Sequence, residues 1–302
     1  MSTEQPITVG LGEVLWDLFP GRTQLGGAPT NFAYISSLLG EHAVVGSRVG
    51  NDALGREART NLQNLGLDTS YMQVDASHPT GTVNVHLEHD GQPQFEIIRG
   101  VAWDYLEWTA AWQKLAREAH AVCFSSLAQR VNESRQTIQA FLRAVGPQTV
   151  RIFDVNLRQA FYSREVVIES LHCSEVVKLN HEELPRVMEL LGLPYADVRS
   201  AAEQLRKEYE LKLVSVTRGP NGSLLVAENG YHEHPGFKVQ VKDTVGAGDA
   251  FTAGLVYCYL RRTPLAVMNE TANRLGAWVA SQAGGTPAAD DALLSQLRAA
   301  VA

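Results

Sequence analysis

The sequence predicts an α/β fold in which helices cover both faces of a central, mostly parallel sheet, with a small β element beside it. Short apolar, β-branched runs alternate with longer stretches of helical periodicity from end to end, and that rhythm builds strand–helix–strand units. At 302 residues, 45% hydrophobic and 20% charged, the chain has globular composition, which excludes disordered, collagen-like and coiled-coil classes. A chain of this length buries roughly three quarters of its unfolded surface, enough for one large core. The third observation is a break in the rhythm at residues 82–98, which supplies the small β element.

Strands are predicted at Ile7–Leu11, Ala43–Val45, Ala121–Phe124, Val150–Phe153, Val176–Leu179 and Leu213–Val216, all short apolar runs suited to a sheet covered on both sides. Helices are predicted over Asp52–Leu65, Trp108–Glu118, Glu133–Val145 and Val198–Tyr209, several of them punctuated by Asn or Gly. In the break, Thr82 to Glu88 alternates strictly, Asp90-Gly91 supplies a type I′ turn, and Gln94–Ile98 resumes as strand. Val83, Val85 and Leu87 then share one face, and Thr82, Asn84, His86 and Glu88 the other. A lid over a cleft and an edge hairpin capping the sheet both fit this pattern. No repeat, low-complexity tract or linker divides the chain, so a single domain over 1–302 is expected.

Lys and Arg total 26 against 33 Asp and Glu, a net charge of −7, which offers no footprint for a nucleic-acid backbone or an anionic membrane. Any phosphate must be bound locally. Cys123, Cys173 and Cys258 lie far apart in apolar stretches and form no CxxC motif, so neither a disulfide framework nor a cysteine metal site is expected. The first residues lack a basic segment followed by an apolar one, and the longest apolar run, near Ala253 to Leu260, is too short to span a bilayer. A cytoplasmic chain is expected.

The most informative stretch is Asp243-Thr244-Val245-Gly246-Ala247-Gly248-Asp249-Ala250-Phe251, followed by residues apolar on nearly every side. A buried helix starts here at a glycine-rich turn. Its first turn leaves backbone N–H groups without partners, and Gly246 and Gly248 let an anion approach them closely. Asp249 is then a carboxylate placed where a phosphate would bind, and like charges at close range in a poorly solvated cleft repel. A proton-accepting role resolves the conflict, with the base taking the proton of an alcohol that attacks the phosphate beside it. Spacing alone leaves a second account equally open, in which Asp249 only complements the helix dipole. There is no GxxxxGK[ST], and Phe251 stands where a GxGxxG fingerprint needs its third glycine, so Walker-type and dinucleotide-binding classes both fall.

This stretch resembles the second signature of the ribokinase-like, or pfkB, carbohydrate kinases, Asp-Thr-x-Gly-Ala-Gly-Asp-x-Phe. Gly26-Gly27-Ala28-Pro29-Thr30-Asn31-Phe32-Ala33 and Arg48-Val49-Gly50-Asn51-Asp52-x-x-Gly55 resemble the N-terminal signature, so the likeness spans essentially the whole chain. The resemblance implies a ribokinase-like fold whose small β lid is formed from about 13–25 and 80–104. It implies Asp249 as catalytic base and the N–H groups of Gly246, Ala247 and Gly248 as an anion hole. Asp17, Gly26, Gly27 and Asn31 match positions that hold sugar hydroxyls, and Asp154, Asn156 and Arg158 match the Asp-x-Asn-x-Arg run that faces the cleft.

On the nucleotide side, Lys178 and Asn180 precede Glu183 in a run similar to the Asn-x-x-Glu motif, associated with phosphate and with Mg²⁺ reached through water. Thr217, Arg218, Gly219 and Gly222 resemble the loop near the ATP phosphates and ribose, although without the family this is only a hairpin turn. Asn273 and Gly276 resemble the helix beside the adenine. Asp243, Val245, Ala283 and Gly285 sit where many members build a monovalent-cation site, such as one for K⁺. Arg99 and Trp103 are candidates for the sugar pocket, with a lid residue facing solvent and a lid-base anchor as the open alternatives.

Gly12 to Pro20 with the paired glycines is most similar to the fructokinase branch, which implies ATP-dependent phosphorylation of D-fructose at its 6-hydroxyl. Other acceptors (2-keto-3-deoxygluconate, ribose, a phosphosugar, a nucleoside) and a non-catalytic sugar sensor of the same fold stay open. The exposed lid strand offers an edge for a homodimer, and the sequence does not decide it. His232-Glu233-His234 reads as a solvated strand edge rather than a metal pair, and Cys258 as packing.

Overall fold

The computed structural model describes residues 5–87 and 93–301, with the side chains at 86, 87, 93 and 94 excepted, so the predicted Asp90-Gly91 turn lies outside the described residues. The main sheet has eight strands in the order β14-β13-β12-β11-β10-β9-β1-β4. Its parallel part is β4 (His42–Gly46), β1 (Ile7–Leu11), β9 (Ala121–Ser125), β10 (Val150–Asp154), β11 (Val176–Asn180) and β12 (Leu213–Thr217). These are the six predicted strands. β13 (Ser223–Ala227) and β14 (Gly230–His234) extend it antiparallel, so Arg218 to Gly222 is indeed a hairpin turn and His232 lies on an edge strand.

Alternation along each strand feeds two cores. Val122 and Phe124 of β9 point to one face, and Ala121 and Cys123 to the other. The first face is covered by α3 (Ala110–Glu118), α4 (Asn132–Ala144), α5 (Arg164–His172), α6 (Glu183–Leu191) and α7 (Val198–Glu208). The second carries α1 (Ala28–Leu38), α2 (Ala53–Asn64), α8 (Ala247–Leu260), α9 (Leu265–Ala280) and α10 (Asp291–Val301). Predicted helix starts move inward by one or two residues where a cap sits: Asp52 and Thr109 accept from Gly55 N and Trp112 N and so precede α2 and α3. Among the described residues, no helix is long and apolar enough to cross a membrane.

The small element is a separate four-stranded sheet, β3-β2-β7-β8, made of β2 (Leu15–Phe19), β3 (Arg22–Gly26), β7 (Gly81–Leu87) and β8 (Pro93–Ile97). The predicted hairpin is β7–β8, paired antiparallel with Val83 opposite Ile97, and β2 joins β7 in parallel. Val83 and Val85 are buried in the first core, as the alternation required. Strand β3 escaped the sequence reading because Arg22-Thr23-Gln24 is polar, which an edge strand tolerates. Two three-residue strands, β5 (Arg48–Gly50) and β6 (Gln73–Asp75), were too short to leave a periodic signal.

Candidate active site

The parallel strands end on one edge of the sheet, where polar residues of an α/β fold meet ligands. α8 begins there. Its N-cap, Gly246, has φ 76, a left-handed conformation that favours glycine, and no side chain caps the first turn. A Cβ on Gly246 would stand 2.5 Å from Gly285 Cα, so the turn is held against the 283–285 loop. Asp243 fixes the same junction, accepting from Val245 N at 3.0 Å and from Gly284 N at 3.1 Å. The four residues expected around a monovalent cation therefore lie on two adjoining loops.

Asp249, in the first turn of α8, accepts a 2.8 Å hydrogen bond from Asn31 Nδ2 near the start of α1. It lines a narrow cavity with Ser125, Asp154 and Thr252. Loss of water around the carboxylate, with the charge of Asp154 added, pushes its pKa up to about 6 from an ordinary 3.8, against the pull of Asn31, Lys178 and Arg158. A carboxylate in a cavity, poised near neutrality and next to an uncapped helix start, is equipped to accept a proton beside an anion.

A buried network backs this arrangement. Asp154, at the end of β10, accepts from Lys178 Nζ at 3.0 Å and from Thr252 Oγ1 at 2.9 Å. Lys178, in the middle of β11, is buried, and its ammonium stands where a Cβ on Gly248 would come within 3.0 Å of it, so its charge lies against the predicted anion hole. Burial would lower its pKa, yet Asp154, Glu183 and Asp249 together raise it, so the amine stays charged. Glu183 is buried and ties two loops, with one carboxylate oxygen accepting from Leu157 N at 2.9 Å and the other from Asn180 N at 2.8 Å. It is not a solvated helix residue.

Asp17, on β2, is half-buried, and desolvation pushes it up to about 6, countered by Arg158 and reinforced by Asp243. A Cβ on Gly26 would meet its Oδ2 at 2.8 Å, so Gly26 makes room for this carboxylate, while Gly27 lets the chain pass the Glu13 carbonyl, 2.4 Å from where its Cβ would stand. Asn156 sits at φ 45, a strained conformation that asparagine tolerates better than most residues, just past Asp154. Asn31, Asp154, Arg158, Asp17 and Asp249 are thus linked by contact or by charge.

A model of the pfkB family carbohydrate kinases matches residues 16–292. The chain belongs to that family. It is 33% identical over 258 residues to a fructokinase of Salmonella typhimurium, with 82% of each chain covered. A sugar kinase of Pyrococcus horikoshii superposes with a TM-score of 0.84 at 26% identity, over 98% of this chain and 99% of that one, and a second structure of it is an ATP complex. A Vibrio cholerae fructokinase in a form with fructose, ADP and calcium superposes at 0.80 with 25% identity over the full length of both chains. The ribokinase-like fold expected from the motifs is the fold of these kinases.

Of the residues expected at the sugar and the nucleotide, several lie outside the lining of the narrow cavity around Asp249. Trp103 is fully buried, with a Cβ on Gly81 falling 2.2 Å from its Nε1 and the Arg130 guanidinium 3.9 Å over its ring. It packs at the base of the small sheet, the lid-base position the sequence left open. Arg99 is exposed and stands 4.7 Å over Phe161, lining a different cleft. Arg218 is spent on Glu233, at 2.9 Å, and on the carbonyls of Ser223 and His234, so it clasps its hairpin to β14. Asn273 is buried, and its amide nitrogen donates to Ser223 Oγ and Asn269, which makes it a core polar group. Gly276 lets α9 pass the start of α8, since a Cβ there would lie 3.1 Å from Ala247 O. Thr217, Gly219 and Gly222 stay at the turn after β12, and Thr217 O accepts from His181 N at 2.8 Å.

Two residues went unnoticed in the sequence. Glu13, fully buried between β1 and β2, is pushed up to about 7 by desolvation, with Asp249 adding to the rise and backbone N–H groups opposing it. The signal was an acid directly after a buried strand. Thr252, which completes the Asp154 pair, gave none, because a threonine within an apolar helix reads as core.

Proposed function

We propose that this pfkB kinase transfers the γ-phosphoryl group of ATP to the 6-hydroxyl of D-fructose. The observation that carries the reading is Asp249, hydrogen-bonded to Asn31 in a poorly solvated cavity and placed beside the uncapped start of α8 and the Lys178 ammonium. Asp249 takes the hydroxyl proton as the sugar oxygen bonds to the γ-phosphorus. The bond from that phosphorus to the β–γ bridging oxygen breaks, and ADP leaves with the electron pair. The first-turn N–H groups of α8 and Lys178 meet the negative charge of the transferred group, and their preorganisation supplies the stabilisation.

Asp17, Gly26, Gly27 and Asn31 would hold acceptor hydroxyls from the side of the small sheet, which serves as the lid and keeps water from the phosphoryl group. Mg²⁺ arriving with ATP supplies charge neutralisation, and Asn180 and Glu183 would meet it through water, since both Glu183 oxygens already accept backbone N–H groups. Among the described residues, no group of three or more His, Cys, Asp or Glu is placed to hold a metal by itself.

Fructose is favoured by the fructokinase relative and by the fructose-bound neighbour. The placement of Arg99 over Phe161 supports a neutral acceptor, because it takes a cation away from the sugar side. The test is sugar-dependent ADP formation over fructose, ribose, 2-keto-3-deoxygluconate, fructose 6-phosphate and adenosine. Fructose should give the highest kcat/KM. A tenfold advantage for another acceptor would reassign the substrate, and tight sugar binding without turnover on any would make the chain a sensor.

A further inference from the structure

A second cleft of about 450 Å³ opens on the α4/α5 side of the molecule. None of the residues assigned above to base, anion hole or nucleotide lines it. Its lining holds three arginines, Arg99, Arg130 and Arg135, and no acidic residue. Val131 and Asn132 bring the start of α4 to it, and Ser163 the start of α5. α4 has no side-chain cap, so its first-turn N–H groups keep free donor capacity at the cleft, although Glu133 in the same turn offsets part of the positive end.

The cations differ in how far they are already satisfied. Arg135 is paired with Glu169 at 2.8 Å at the rim. Arg130 is 3% exposed, and its Nε and Nη2 grip the Asp104 carboxylate at 2.7 and 2.8 Å. Its third nitrogen, Nη1, is buried with no hydrogen-bond partner among the described residues. An unmatched guanidinium nitrogen in such a place costs free energy unless something supplies an acceptor. Arg99 adds an exposed guanidinium over Phe161, whose ring also lies 4.8 Å below Arg130.

We propose that this cleft is a second anion site, taking a small phosphate-bearing metabolite. Three donor groups line it (Arg99, Arg130 and the first turn of α4), which suits the three terminal oxygens of a phosphate better than the two of a carboxylate. The volume fits a phosphorylated metabolite, and Phe161, Ala160 and Val166 give its carbon frame an apolar wall. The same Arg130 Nη2 also donates to Ile98 O at the end of β8, so the site is wired to the root of the small sheet.

The test uses amide NMR spectra of the full-length protein titrated with inorganic phosphate, with and without a non-hydrolysable ATP analogue at saturation. The amides of Asn132, Glu133 and Ser134 should shift saturably in both series. The Arg99→Gln/Arg135→Gln double variant, whose spectrum reports its own folding, should bind phosphate at least about tenfold more weakly, the loss expected for a charge-assisted contact. Acetate should bind more weakly than phosphate. Amides that do not move, a variant that titrates like wild type, or acetate that equals phosphate would overturn the proposal. No outcome depends on turnover, so the cleft and the fructose assignment are judged separately.

Discussion

Asp249→Asn should slow the enzyme and stabilise the fold at once. The asparagine keeps the shape and can still accept from Asn31, but it cannot take a proton, so turnover should fall on the order of 10²–10⁴ with sugar affinity changed far less. The stability effect follows from linkage. The carboxyl is ordinarily at 3.8 and is pushed up to about 6 in the fold, so between those values the unfolded chain has released a proton that the native chain still holds. Native stability from this group is therefore intact below about pH 4, declines as pH rises, and stays reduced above about 6. At ~1.4 kcal/mol per pH unit the loss at neutrality is up to about 3 kcal/mol, less whatever cavity solvent screens. The asparagine variant should recover much of it at pH 7.5 and almost none at pH 4. Urea unfolding at both pH values and a coupled ADP assay measure the two halves. Turnover within a few-fold of wild type, or a variant less stable at pH 7.5, would refute the assignment of Asp249 as a strained base.

The acid limb of kcat/KM should report a group near pH 6 rather than near 4, and Asn31→Ala should move that limb to higher pH by removing a donor to the ionised form; a limb unmoved in the variant counts against the Asn31 contact. Gly246→Ala places a Cβ 2.5 Å from Gly285 Cα at φ 76 and should cost roughly 1–3 kcal/mol by denaturant midpoint, with phosphoryl transfer impaired as the turn shifts. Lys178→Met leaves Asp154 buried without its cation and should destabilise by about 3–5 kcal/mol; a neutral effect on thermal unfolding would show that the pair is not the buried one described here.

The parallel core was legible because its strands are covered on both faces and so are dominated by short, β-branched apolar runs, interrupted only at single positions such as Arg151, Lys178 and Ser215. The small sheet was half legible. Val83 and Val85 face a core and Thr82 and Asn84 do not, which leaves an alternation, whereas Arg22 to Gly26 is an edge that any polar sequence satisfies. The site divided in the same way. Gly246 and Asp249 are visible because local rules, a positive φ and a charge at a helix start, dictate residue types there. The surroundings of Trp103, Arg99 and Asn273 were not legible because direction, not composition, decides them: one turns into the base of the small sheet, one over Phe161, one into a buried amide network. Glu13 reaches the environment of Asp249 only through tertiary folding, which no spacing in one chain records.

The Glu183 carboxylate, shared between Leu157 N and Asn180 N, splices the loop after β10 to the end of β11. Sequence drift in either segment is thereby felt in both, and the pair behaves as a single inherited part. On the function proposed above, new acceptor preferences in a chain wired this way would come from the four short strands that carry Asp17, while the groups proposed to meet phosphate are left alone.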